Sequence, residues 1–162
     1  MFKMILMHGN KIYRNMRKIK FRGKFVYANA DGRLIWTYGD LYQTDTLRNV
    51  GKAKIFETIP YDENTSITDN EVILGTVGQF TGIVDRNGVE IYEGDIIQTY
   101  DSKGKPILHE VYYLESEARF ATKLIGYENL NESSLTQKWI NELEFEVVGN
   151  IFDNQDLLQN KL

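Results

Sequence analysis

The 162-residue sequence contains no cysteine, which removes disulfides, thiolate metal cages and cysteine nucleophiles from consideration. Histidine is nearly absent too. With only His8 and His109, a His-rich metal site is excluded, and any triad would have to use one of these two. Long hydrophobic runs are missing: Met4 to Met7 is four residues, against roughly 7–15 for a signal h-region or ~20 for a membrane span. No export and no membrane partner are expected, and the lack of disulfides fits a cytoplasmic location.

What is present is globular in kind. The chain is 42% hydrophobic and 26% charged, outside the regime of disorder, and a chain of this size hides roughly 68–70% of its unfolded surface. Ten Tyr, eight Phe and two Trp beside only two Pro favour β structure. The net charge of −4 conceals an asymmetry. Residues 1 to 24 carry eight Lys or Arg and no acid, whereas residues 25 to 162 carry eleven basic and twenty-three acidic residues. A basic arm of that kind is a nucleic-acid signal or an internal partner for the acidic body.

Apolar periodicity predicts strands. Ile19, Phe21, Phe25 and Tyr27 alternate with Lys18, Lys20, Arg22 and Lys24, the period-2 pattern of a half-buried strand. Gly23 breaks the apolar row, as a bulge or close backbone approach does. Asn29-Ala30-Asp31-Gly32 supplies a turn, and Leu34, Trp36 and Tyr38 resume the alternation, giving a hairpin over residues 18 to 42. A short strand is expected around Lys54 to Ile59. The polar stretch from Asp62 to Asn70 reads as a linker. Beyond it, Asp85-Arg86-Asn87-Gly88 and Asp101 to Lys105 read as turns flanking strands at Asp95 to Tyr100 and Ile107 to Leu114. Leu143, Phe145 and Val147 alternating with Glu142, Glu144 and Glu146 predict a final strand with an acidic face. Asp153 before Leu157-Leu158 predicts an N-capped short helix. Strands spaced by turns, with no long amphipathic helix, indicate a mainly β fold.

Met16-Arg17-Lys18-Ile19-Lys20-Phe21-Arg22-Gly23-Lys24, Trp36-Thr37-Tyr38-Gly39-Asp40-Leu41, Thr76-Val77-Gly78-Gln79-Phe80-Thr81-Gly82, the run from Asp85 to Ile97, and Val148-Gly149-Asn150-Ile151-Phe152-Asp153-Asn154 together resemble, in order, the motifs of the YopX family of phage and prophage proteins. The resemblance spans Met16 to about Leu158. It implies an SH3-type barrel as the C-terminal domain, a smaller β-rich N-terminal part, an N-terminal extension over 1–15 and a role that is uncharacterised in the family; together with the polar linker, set at 62–71, this divides the chain into a β-rich part over 16–61 and a barrel over 72–158 that ends in the short helix. It brings no catalytic or binding residues with it.

Constellations that suggest chemistry fail on spacing. Asp85 to Asp95 is not an EF-hand, because the sixth position from Asp85, where the loop needs Gly, is Glu90. Glycines 75, 78 and 82 match neither GxGxxG nor GxxxxGK[ST]. His109 and Glu110 are adjacent on a strand and so face opposite ways; a strand histidine on or near the surface is expected. Ser116, Ser133 and Ser134 lack the nucleophile elbow. No catalytic, cofactor or metal site follows, and no enzyme is expected. The reading is a cytoplasmic, non-enzymatic accessory protein that binds a host or phage protein, with a homo-oligomer left open. The alternative is a nucleic-acid-binding protein using the basic segment 11–24, with Lys18, Lys20, Arg22 and Lys24 as its contacts. Alternation separates those charges from Phe21 and Phe25, so a solvated face is the plainer expectation.

Overall fold

Side chains that alternate along β structure fix which residues meet, and here they close a ring. The computed structural model describes residues 7–8, 11–12, 17–44, 52–61, 64–127 and 132–159. A small antiparallel pair, β1 (Met7–His8) and β2 (Lys11–Ile12), comes first; the rest of the expected extension 1–15 lies outside the described residues. β3 (Phe21–Ala28) and β4 (Leu34–Thr44) form the expected hairpin, and β5 (Lys52–Tyr61) and β6 (Asn64–Val72) form a second. β4 pairs with β5, and Phe25 opposite Val72 joins β6 back to β3. These four strands are a closed barrel. Ala53, Ile55 and Val72 fill it, with Phe21, Leu41 and Val77 packed against them. Its bore is narrow: a Cβ on Gly23 would lie 3.1 Å from Cβ of Val72, and one on Gly39 only 2.0 Å from the Phe56 carbonyl oxygen. The approach at Gly39 requires glycine, whereas a side chain at position 23 would need Val72 to give way by a few tenths of an ångström.

The first half of β3 also pairs with β7 (Gly78–Val84), which pairs with β8 (Glu90–Tyr92). The remaining strands are β9 (Asp95–Tyr100), β10 (Pro106–Leu114), β11 (Arg119–Leu124), β12 (Ser133–Ser134) and β13 (Glu146–Asn150). They make an antiparallel sheet in the order β12-β11-β10-β9-β13. Its core is Ile91, Ile97, Val111, Leu135, Ile140 and Phe145, with Trp139 and Phe120 against it. The fold is therefore mainly β, with a closed barrel and two short helices, α1 (Gln137–Glu142) and α2 (Gln155–Leu158).

Several local expectations are corrected. Residues 64–72 are strand rather than linker, and residues 62–63 lie outside the described ones. The apolar signal was missing because β6 turns Asn70 inward, where its amide donates to Thr37 Oγ1 at 2.9 Å, while Asp69 and Glu71 hold Lys54 and Lys52 outside. The final strand starts only at Glu146: residues 137–142 are helical, Leu143 caps that helix, and Glu144 has φ +52°. Phe145 is thus core, but Leu143 is exposed, so no acidic strand face exists across 142–146. The helix itself is N-capped by Thr136, whose hydroxyl accepts from the Trp139 amide at 3.2 Å. The cap of α2 is Asn154, not Asp153.

Candidate functional site

In β3 the residues Phe21 and Gly23 face the ring interior, so Lys20, Arg22 and Lys24 face out of it. Outward from the ring is not outward from the protein. The C-terminal half packs against that side, and the basic row meets carboxylates: Lys18 with Glu90 at 3.6 Å, Lys20 also with Glu90, Arg22 with Asp95 at 2.6 Å, and Lys24 with Asp153. The row expected as a solvated face is therefore an electrostatic seam, and the acids that complement it are Glu90, Asp95 and Asp153 rather than Glu142, Glu144 and Glu146. Glu144 and Glu146 instead face Arg86.

Aromatic rings line the seam, supplied by neighbouring strands. Register places Tyr38 opposite Arg22 and Trp36 opposite Lys24. The Arg22 guanidinium lies 4.7 Å from the Trp36 ring centroid and 4.9 Å from that of Tyr92, a sandwich in which cation–π attraction strengthens as water leaves. Lys20 sits over Phe80 and Tyr92. Arg22 is 7% exposed and Asp95 1%. Asp95 also accepts from the Tyr92 amide at 2.7 Å, and Arg22 donates to the Glu93 carbonyl at 3.1 Å, so the buried pair is anchored to backbone on both sides, although Arg22 Nε has no hydrogen-bond partner. Burial lifts the Asp95 carboxyl to about 6, against the pull of Arg22 and the Tyr92 amide. Glu90 is partly desolvated, yet hydrogen bonds from Lys20 and Tyr92 hold it below the ordinary carboxylate range. Burial and the Glu90 carboxylate push the Tyr92 phenol well up.

The C-terminal motif locks the far end of the seam. Asp153 accepts from Trp36 Nε1 at 2.8 Å and Asn150 Nδ2 at 3.0 Å, while Asn150 Oδ1 accepts from the amides of Phe152 and Asp153. Between the halves remains a cleft of about 350 Å³ lined by Arg22, Tyr38, Glu90, Tyr92, Asp95 and Asn150 among others. Sequence reasoning named the basic row but missed Trp36, Tyr38 and Tyr92 as its partners. The signal was the even-numbered alternation of Trp36 and Tyr38, which matches that of the lysines across the hairpin.

The remaining sequence candidates have structural roles. Asp85 Oδ1 accepts from the amides of Asn87 and Val89, and its Oδ2 from that of Val147, so it builds the expected turn and ties it to β13. His109 is buried, not on the surface: it packs edge-on against Trp139 and Phe145, its Nδ1 has no hydrogen-bond partner, and burial lowers its pKa to about 4. Among the described residues no helix is long and apolar enough to cross a membrane.

A second surface lies outside the ring. Tyr42 contacts Phe56 across β4 and β5, with ring centroids 6.1 Å apart. Tyr42 is opposite Lys54 and Phe56 opposite Asp69. The contacts Tyr42–Phe56, Lys54–Asp69 and Lys52–Glu71 thus all run along one diagonal, the direction the sheet twist favours. The next step of that diagonal from Phe56 is Ile67, which is 67% exposed, beside Tyr42 at 55%.

A family model described as YopX protein matches residues 20–159 of this chain. Among solved structures, the crystal structure of protein EF1440 from Enterococcus faecalis is similar, with a TM-score of 0.56 and 23% identity, covering 89% of this chain and 100% of that one; this similarity concerns the fold. No curated protein matches.

Proposed function

The chain belongs to the YopX family, and from that premise we propose that it is a phage or prophage accessory protein of the host cytoplasm that acts by binding another protein rather than by catalysis. The observation that carries this reading is the apolar diagonal Tyr42–Phe56–Ile67 on the outside of the ring. It is flanked by the Lys54–Asp69 and Lys52–Glu71 ion pairs, an apolar strip with a charged border of the kind that protein interfaces bury. The seam supports the same reading from the other side: Lys20, Arg22, Lys24 and their carboxylates are committed to holding the halves together, which leaves that charge for architecture. The antiparallel sheet β9 to β13 with the β7–β8 hairpin is the part read as an SH3-like module.

The test is affinity capture with the full chain from lysogenic cells, with and without nuclease, beside an Ile67→Asp/Tyr42→Ser variant. Specific protein capture that survives nuclease and is lost in the variant is expected. Equal capture by the variant, or capture abolished by nuclease, would overturn the reading.

A further inference from the structure

The outer face of β4, β5 and β6 is self-complementary in charge as well as apolar along its diagonal. Tyr42 stands opposite Lys54 and Asp40 opposite Phe56, so these four residues are the corners of a rectangle. Alternation turns all four away from the ring, because their neighbours Leu41, Ala53 and Ile55 belong to its core. Tyr42 and Phe56 take one diagonal, in ring contact, and Ile67 extends it. Lys54 and Asp40 take the two remaining corners, a cation on one side of the apolar line and an anion on the other. Asp40 is exposed, and the Lys54 side chain keeps 42% exposure beside Asp69.

We propose that, with no target bound, a second copy of the chain covers this strip about a two-fold axis lying along the line Tyr42–Phe56–Ile67. The proposal rests on the reading of the strip as a protein interface and names its resting occupant. A half-turn about that line sets each apolar residue on its own counterpart and exchanges the two sides. Lys54 of one copy then lies over Asp40 of the other, and the converse, as an isologous contact requires. Each copy supplies both charges, so the pair forms twice. The face is small: three strands about 4.8 Å apart and three same-face rows about 7 Å apart span roughly 300 Å², below the roughly 800 Å² per side of stable complexes. Self-association is therefore weak, and a target that fits the strip displaces the second copy.

Sedimentation equilibrium of the full chain from about 10 μM to 1 mM tests this, with a reversible monomer–dimer equilibrium expected at a Kd on the order of 100 μM. Lys54→Asp and Asp40→Lys are each expected to weaken the dimer by roughly tenfold, since each reversal places like charges together at both symmetric contacts. The double variant Lys54→Asp/Asp40→Lys is expected to return to within about threefold of wild type, and that recovery excludes misfolding as the cause of either loss. A monomer at 1 mM, a dimer indifferent to both single reversals, or a double variant as weak as the singles would each overturn the proposal. The two readings fail separately. A chain monomeric throughout that still captures a protein through Tyr42 and Ile67 overturns the dimer alone, whereas a dimer with the expected charge-swap recovery whose capture of other proteins ignores those residues overturns the interface reading alone.

Discussion

Replacing Asp95 by Ala tests whether the seam holds the molecule together. The substitution leaves the Arg22 guanidinium, 7% exposed, buried between two rings with no countercharge, and it removes the acceptor of the Tyr92 amide. Breaking a buried pair from one side costs about 3–5 kcal/mol, a large share of the roughly 5–15 kcal/mol that holds a domain folded. Arg22→Met removes the other charge and keeps much of the side-chain volume between Trp36 and Tyr92. If the cost of the first change is the stranded cation, the double variant should be more stable than the sum of the singles by about 2 kcal/mol, within the coupling seen for contacting residues. Urea unfolding at pH 7, read as midpoints at constant m, measures all four corners of the cycle. A loss below about 1 kcal/mol in Asp95→Ala would refute the reasoning, because a buried uncompensated charge cannot be so cheap. Strict additivity in the double variant would refute it equally.

Two further outcomes follow from groups with no part in binding. His109 has its pKa lowered from 6.5 to about 4, so the unfolded chain takes up a proton first. Its contribution is complete above pH 6.5 and is lost as pH falls towards 4, to a limit of about 3 kcal/mol. Asp95, raised from 3.8 to about 6, acts in the opposite sense, stabilising the fold as pH falls through 6. Comparison of wild type with His109→Leu by urea unfolding between pH 4.5 and 7.5 isolates the histidine: the wild type should lose stability relative to the variant on acidification, and parallel curves would contradict the assignment. Gly39→Ala should prevent ring closure, since its Cβ would lie 2.0 Å from a backbone oxygen; a variant with wild-type near-ultraviolet circular dichroism would show that the ring is wider than described.

The parity of β3 was legible in the sequence, and so were β9, the turn at Asp85 and the hairpin at Asn29. What parity does not say is what covers the other face. Lys20, Arg22 and Lys24 alternate as a solvated row would, and only tertiary packing against Glu90, Asp95 and Asp153 distinguishes a seam from a surface. β6 was illegible for the converse reason. Its inward Asn70 is satisfied by a hydrogen bond rather than by apolar burial, so the hydrophobic pattern that marks a strand is absent. At Glu142 to Glu146 the period-2 pattern arose by coincidence, where a short helix, a left-handed Glu144 and a buried Phe145 follow one another.

The bond between Lys24 and Asp153 spans 129 residues of chain. At roughly 5–20 residues per second of synthesis, Asp153 follows Lys24 by about 6–26 s, whereas hairpins form within about 1–10 μs. The row of cations is thus neutralised in stages, Lys18, Lys20 and Arg22 once Glu90 and Asp95 have been made, and Lys24, with the Trp36 indole, only when Asp153 arrives.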